Sequence, residues 1–283
     1  MPQHLQQKVE SMLGVAVVGQ MTPVSRGYTP AIRRIATLAD ARRVFVKAAS
    51  NDYTAVALRA EQRIYDQLDT PFLAKRLAFA EGEHPVMILE DLSGAYWPPA
   101  WRPGDIAAVR ATMTVIAATE VSGIPNLDQG EFTGWKAVAL DPEPFLGLNL
   151  VSAGWLASAL PTLIAAEAAA DLSGTDLLHC DLRSDNLCIL DGRVIVIDWN
   201  FASVGNAEFD LAFWAPSLAA EGGGVPEDLL PHAPGLAALA SGFFAARAGL
   251  PLIPHAPRVR HIQQVQLREA LPWAIRALKL PTP

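Results

Sequence analysis

Short runs of branched and aromatic residues, broken by turn signals, fill the first ninety residues and predict strands around one helix. Met21 to Ser25, Ala31 to Ala39 and Arg43 to Ala48 are the first three strands, joined by Arg26-Gly27-Tyr28-Thr29 and by Ala39-Asp40-Ala41. Thr54 to Leu68 places Val56, Leu58, Ile64 and Leu68 at helical spacing. Two more strands are expected near Leu77–Ala80 and Val86–Leu89. From Gly104 onward helical patterns dominate: Ile106–Val121, Ala153–Ala170, Phe209–Ala220, Leu236–Ala248 and Val259–Leu278, the last expected to kink at Pro272. Strands first and helices later predict an α+β chain with two lobes. The break falls near Glu90-Asp91-Leu92-Ser93-Gly94, and no internal repeat is present.

Composition narrows the picture. Hydrophobic residues make up 51% of the 283 and charged residues 18%, which excludes intrinsic disorder. Two cysteines, Cys180 and Cys188, make no disulfide framework. Leu150 to Ala166 is uncharged, but it holds Ser152, Gly154, Ser158 and Pro161 and Glu167 follows it. It reads as a buried helix rather than a membrane span. The N-terminal segment has no basic stretch followed by an apolar one, so a cytoplasmic protein without a membrane partner is expected.

Charge is uneven. Residues 100–178 hold 3 basic and 9 acidic side chains, residues 179–228 hold 2 and 9, and residues 229–283 hold 6 and 1. The basic residues of the tail are too dispersed for a nucleic-acid surface, and no nucleic-acid partner is expected.

The strongest chemical signal is LLHCDLRSDNLCILDGRVIVIDW at 177–199. A short strand, Leu187 to Leu190, and Val194 to Ile197 form a hairpin around Asp191-Gly192. Asn186 enters that hairpin and Asp198 leaves it, so antiparallel pairing brings an amide oxygen and a carboxylate to the same end. Two hard oxygen donors beside phosphates suit Mg²⁺, which keeps only one or two protein carboxylates. Asp181, just upstream, is placed to accept a proton from a hydroxyl aligned with a metal-bound phosphate. An isolated His-x-Asp is common by chance, and Asp198 alone merely ends a strand; the ordered combination is what carries the signal.

With these residues the chain resembles the aminoglycoside phosphotransferase family of small-molecule kinases. The loop His179 to Asn186, the triplet Ile197-Asp198-Trp199 and Phe209-Asp210-Leu211-Ala212 match it in order and approximate spacing, over about residues 15 to 275. The resemblance implies a two-lobed protein-kinase-like fold. It implies that Asp181 is the catalytic aspartate, that Asn186 and Asp198 hold magnesium, that Asp210 braces the catalytic loop and that His179 is structural. Cys180 stands where the family usually has glycine, so the backbone there must tolerate a side chain. Asn200 stands where many relatives have glutamate. Asp185 is read as a solvated loop acid.

The N-terminal half is then expected to hold the nucleotide. Strand alternation puts Val44 and Val46 on one face and Phe45 and Lys47 on the other. Lys47, followed by a helix carrying Glu61, resembles the kinase lysine that binds α/β-phosphates and its helix glutamate. A surface ion pair of Glu61 with Arg59 or Arg63 is the plain alternative. Phe45, on the lysine face, is expected to cover one face of the purine. Pro85 to Leu92 resembles the family's last strand and hinge, which implies that backbone groups of Glu90 and Leu92 meet the adenine edge. Ser25 to Thr29, the expected phosphate-covering loop, has one glycine, and neither an Asp-Phe-Gly nor an Ala-Pro-Glu triplet is present. These absences argue against a protein substrate.

The expected organisation is an N-lobe over 1–91, a hinge at 92–93 and a helical C-lobe over 94–283. The expected activity is Mg²⁺-dependent transfer of the γ-phosphoryl of ATP or GTP to a hydroxyl of a small molecule. The negative middle segment and positive tail favour a neutral or mono-cationic acceptor over a highly charged aminoglycoside. Core filling accounts for most of the seven tryptophans, with Trp97 and Trp101 also candidates for the acceptor cleft. A nucleotide-binding pseudokinase leaves the retained set Lys47, Asp181, Asn186 and Asp198 unexplained. A metal hydrolase using His179, Asp181 and Asp198 leaves Lys47 and Asn186 without a task.

Overall fold

The computed structural model describes residues 2–25, 27, 29–254 and 256–283. In chain order its elements begin with α1 (Pro2–Leu13), β1 (Thr22–Pro23), β2 (Ile32–Thr37), β3 (Arg43–Ala48), α2 (Asp52–Gln67), β4 (Arg76–Ala80) and β5 (Val86–Glu90). There follow α3 (Asp105–Ala117), α4 (Gln129–Phe132), α5 (Trp135–Leu140), α6 (Glu143–Leu146), α7 (Ala153–Ala168), β6 (Asp176–Leu178), β7 (Leu187–Leu190) and β8 (Arg193–Val196). The chain closes with β9 (Ser203–Gly205), α8 (Glu208–Ala220), α9 (Pro226–Leu229), α10 (Pro234–Ala248) and α11 (Val259–Ala277). The class is α+β, as the pattern predicts. Arg26 and Tyr28 of the expected phosphate-covering loop lie outside the described residues.

The chain divides into two compact units, 1–98 with 185–202, and 99–184 with 203–283. Hydrogen bonds tie the stretch after β5 to the first unit. Tyr96 and Ile189 exchange both backbone hydrogen bonds, at 2.9 and 2.8 Å. The Trp97 indole N–H donates to the Leu92 carbonyl at 3.1 Å, and Arg43 pairs with Asp91 at 2.9 Å. The hairpin β7–β8 joins the same unit, with the Val196 N–H donating to the Phe72 carbonyl at 2.8 Å.

In the first unit the strands β1-β2-β3-β5-β4 form one antiparallel sheet. Val44 and Val46 point to one face and are buried against Val9 of α1, Ala36 and Ile88. Phe45 and Lys47 point to the other. A capping box opens α2: the Thr54 N–H donates to Asn51 Oδ1 at 3.0 Å and the Asn51 N–H to Thr54 Oγ1 at 3.1 Å. Its buried stripe is Ala55, Leu58, Glu61, Ile64 and Tyr65. Val56, expected on that stripe, is 67% exposed, because one residue past Ala55 lies about 100° around the helix. The hairpin turns at Asp191 (φ 51°) and Gly192 (φ 78°), the pair of positive φ values of a type I′ turn.

In the second unit β6 pairs with β9, and the helices bury Trp135, Trp214 and Trp273 completely. Ser152 caps α7, its hydroxyl accepting from the Trp155 N–H at 3.1 Å. Among the described residues no helix is long and apolar enough to cross a membrane. Glu167, on the buried side of α7, caps α5 by accepting the Gly134 N–H at 2.7 Å and the Trp135 N–H at 3.2 Å. Burial pushes its carboxyl pKa up, and those two N–H groups oppose the rise. Helix α11 continues through Pro272.

Candidate active site

Lys47 sits near the end of β3, with Arg33 of β2 and Met87 of β5 as its neighbours across the sheet. Its ammonium contacts Glu61 Oε2 at 2.5 Å and also pairs with Asp198 Oδ1. Burial alone lowers a lysine pKa; here the Asp198 and Glu61 carboxylates outweigh burial, and the Lys47 pKa is raised. Burial raises the Glu61 pKa, with Lys47 opposing. The alternative partners of Glu61 are otherwise engaged in one case: Arg59 bonds to Glu81 at 2.7 Å and to the Gly82 carbonyl at 2.7 Å.

Asn186 ends a single 3-10 turn, Ser184–Asn186, and leads into β7. Asp198 follows β8 in the left-handed conformation, φ 64° and ψ 53°. The Ile197 N–H donates to the Asn186 carbonyl at 2.9 Å, which keeps the two ends of the hairpin together. Trp199, fully buried, fixes the exit, its indole N–H donating to the Val196 carbonyl at 2.9 Å and its ring 5.8 Å from that of Phe72. A carboxylate and an amide held this way are the hard donor set that Mg²⁺ prefers, so the residues present fit that ion.

Phe45 is half-buried, between Ile35 and Leu89 on the lysine face. The Glu90 N–H donates to the Lys75 carbonyl at 2.9 Å, and its carboxylate accepts the Lys75 N–H at 2.7 Å. The Leu92 carbonyl accepts from Ala95 and Trp97.

The second unit carries Asp181. Asp210, buried in the first turn of α8, accepts the His179 N–H at 2.7 Å and the Cys180 N–H at 2.8 Å, one on each oxygen. Burial pushes its carboxyl up to about 6, with the two N–H groups opposing. Cys180 takes φ 62°, a conformation at home with glycine. Its thiol pKa is raised well above the usual value by burial and by Asp210, which disfavours the thiolate. His179 is buried and its Nδ1 accepts the Asp181 N–H at 3.3 Å, a structural contact.

Two features escaped the sequence reading. Asp181 forms an ion pair with Arg183 at 2.5 Å, two residues along the same loop. Glu221, capping α8, accepts from the Ser184 hydroxyl and, at 2.9 Å, from the Trp101 indole N–H. The Arg183 pair carries a signal of sorts, since a cation two residues from a loop carboxylate is within reach of it; the Glu221 contacts carry none. Trp101 also meets Trp214 edge-on at 5.7 Å. Among the described residues no group of three or more His, Cys, Asp or Glu side chains is gathered to hold a metal ion.

The chain matches the model of the phosphotransferase enzyme family over residues 20–241, and it belongs to that family, which includes the aminoglycoside phosphotransferases. No curated protein sequence matches it. Among solved structures it is similar to a choline/ethanolamine kinase family protein from Mesorhizobium loti, at 12% identity and TM-score 0.63, covering 98% of this chain and 97% of that one. It is similar to macrolide 2'-phosphotransferase MphH from Brachybacterium faecium, at 15% identity and TM-score 0.56, covering 100% and 99%. It is also similar to APH(2")-IIa in its streptomycin–ATP ternary complex, at 13% identity and TM-score 0.55, covering 96% of each. At these identities the likeness establishes the α+β kinase-like fold.

Proposed function

We propose that this chain transfers the γ-phosphoryl of ATP or GTP to a hydroxyl group of a small molecule, with Mg²⁺ as cofactor. The observation that carries the reading is the buried Lys47, bridging Glu61 on α2 and Asp198 at the end of the hairpin. A lysine so held is charged and immobile, as a phosphate-binding cation must be. Asn186 and Asp198 would hold the metal, which when bound neutralises charge on the phosphates. Lys47 binds the α/β-phosphates, and Phe45 covers the purine. Glu90 and Leu92 offer backbone groups to its edge.

Asp181 orients the acceptor hydroxyl and accepts its proton at a carboxylate oxygen. Asp210 holds the loop that presents Asp181, and Arg183 orients that carboxylate between turnovers. The acceptor is a neutral or mono-cationic alcohol. The 3 basic and 9 acidic residues of 100–178 attract a cation, whereas the 6 basic and 1 acidic of 229–283 repel a highly charged one.

An ADP-release assay with a panel of hydroxyl compounds, run with ATP and with GTP and with Mg²⁺ present or chelated, tests the reading. Acceptor-dependent, Mg²⁺-dependent release is the expected result. Nucleotide binding without release for any acceptor in a broad panel would instead favour the pseudokinase.

A further inference from the structure

Both ends of α8 grip the loop that carries Asp181. Asp210, in the first turn of that helix, accepts the His179 and Cys180 N–H groups. Glu221, the residue that caps its C-terminus, accepts the Ser184 hydroxyl on Oε1. About three helical turns, or about 16 Å, lie between Asp210 and Glu221. Asp181 falls between the two grips, and the Leu182 side chain that follows it is buried. Ser184 is itself buried, so its hydroxyl needs a protein partner, and Glu221 supplies one.

Glu221 is fixed at its backbone and at its carboxylate. Its N–H donates to the Ser217 and Leu218 carbonyls at 3.1 and 3.2 Å, closing the last turn of α8. Its Oε2 accepts the Trp101 indole N–H at 2.9 Å. Trp101 in turn meets Trp214, a fully buried residue of α8, edge-on at 5.7 Å. The carboxylate thus has one oxygen on the loop and the other on an indole that rests on the same helix. A charged acceptor makes the stronger hydrogen bond with a hydroxyl.

We propose that Glu221 is a positioning residue: it anchors the Ser184 end of the loop, opposite the end held by Asp210, and so fixes where Asp181 meets the acceptor hydroxyl. The proposal rests on the role given to Asp181 above. Side-chain length is what the geometry demands. A glutamate reaches both Ser184 and Trp101. An aspartate, one methylene shorter, keeps the charge and cannot span the two. A glutamine keeps the length: its oxygen accepts the indole N–H, and its NH₂ donates to the Ser184 hydroxyl oxygen. Length and charge can therefore be separated.

The test measures ADP release from Mg·ATP, with the panel of hydroxyl compounds and with water as acceptors, in wild type, Glu221→Asp, Glu221→Gln, Ser184→Ala and Asp181→Asn. Hydrogen exchange of the 180–184 amides and calorimetric binding of Mg·ATP are followed alongside. Glu221→Asp and Ser184→Ala are expected to lower kcat about 10- to 100-fold, the scale of losing a hydrogen bond to a charged group. They should speed exchange over 180–184 and leave Mg·ATP affinity unchanged. Glu221→Gln should stay within several-fold of wild type. Glu221→Asp combined with Asp181→Asn should turn over no more slowly than Asp181→Asn alone, since one residue acts through the other. Trp101→Phe, which releases only Oε2, should lose several-fold in kcat and keeps the test open should Glu221→Asp fail to fold. Wild-type turnover in Glu221→Asp with loss in Glu221→Gln would show a charge effect and overturn the positioning role. Additive losses in the double variant, or unchanged exchange over 180–184, would overturn it too, with the role of Asp181 intact. Wild-type turnover in Asp181→Asn, or a wild type that releases no ADP, would remove the reading of Asp181 and this proposal with it.

Discussion

Lys47 and Asp198, 151 residues apart in the chain, meet as an ion pair in the first unit, and Glu61 closes the group from α2. Their junction joins a strand, a helix and the end of a distant hairpin. The three charges are therefore interdependent. Removing the cation leaves Glu61, 1% exposed, as an uncompensated buried carboxylate beside Asp198.

Lys47→Met should accordingly destabilise the fold by about 3–5 kcal/mol, the scale for breaking a buried pair from one side. Glu61→Gln keeps an acceptor for Lys47 and should cost less. Urea unfolding of both variants checks the order, and Lys47→Met should also lose any stabilisation by Mg·ATP. A Lys47→Met protein as stable as wild type would mean the charges are solvated rather than buried.

Phe45 stands two residues before Lys47 on the same face of β3, half-buried between Ile35 and Leu89. Phe45→Ala should weaken nucleotide binding several-fold, since ring stacking is worth about 1 kcal/mol beyond burial. The acceptor KM should not change. Equal affinity for adenosine in wild type and in folded Phe45→Ala would take the ring out of the site.

Asp210 makes a prediction with a sign. Its ordinary pKa of 3.8 describes the unfolded chain, and burial raises it to about 6 in the fold. The folded protein keeps this proton longer, so the group's stabilising contribution is complete below about pH 4 and is lost as pH rises towards 6. The rise from 3.8 to about 6 corresponds to about 3 kcal/mol. In Asp210→Asn that pH dependence should vanish. The amide NH₂ must then face one of the two loop N–H donors, which costs about 1–3 kcal/mol. Urea unfolding of both proteins at pH 4, 5, 6 and 7 measures the difference. A gap that widens in favour of wild type as pH rises from 4 to 6 would reverse the sign and show the ionised form to be the favoured one.

Much of this was legible in the residues themselves. The bounds of β3, Arg43–Ala48, follow from its branched residues between turn signals, and β7–β8 follow from Asp191-Gly192 between two apolar runs. Where side-chain chemistry and local period agree, the element is readable. The pairing of Asp176–Leu178 with Ser203–Gly205 was not readable, because three-residue strands show no alternation and their partner lies far along the chain. Nor was α1, whose polar residues surround the buried Val9 that packs beneath the sheet. Glu167 looked like the polar end of an apolar run, yet it is buried as the cap of α5, a role that only the three-dimensional neighbour Gly134 reveals. In the candidate site, the residue types of Lys47, Glu61, Asn186 and Asp198 pointed to one chemistry. The Ser184–Glu221–Trp101 contacts depend on where α8 ends and had no local signal.

The central claim is that two carboxylates have separate tasks, Asp181 acting on the acceptor hydroxyl and Asp198 on the metal-bound nucleotide. Calorimetric titration of Mg·ATP into folded Asp181→Asn and Asp198→Asn, with turnover measured alongside, tests it most directly. Asp181→Asn should lose about 10²- to 10⁴-fold in kcat, the usual scale for a general base, and bind Mg·ATP as wild type does. Asp198→Asn should lose Mg²⁺-dependent binding together with turnover, because a charged ligand is taken from a hard cation. Loss of magnesium dependence in Asp181→Asn with its retention in Asp198→Asn would contradict the assignment.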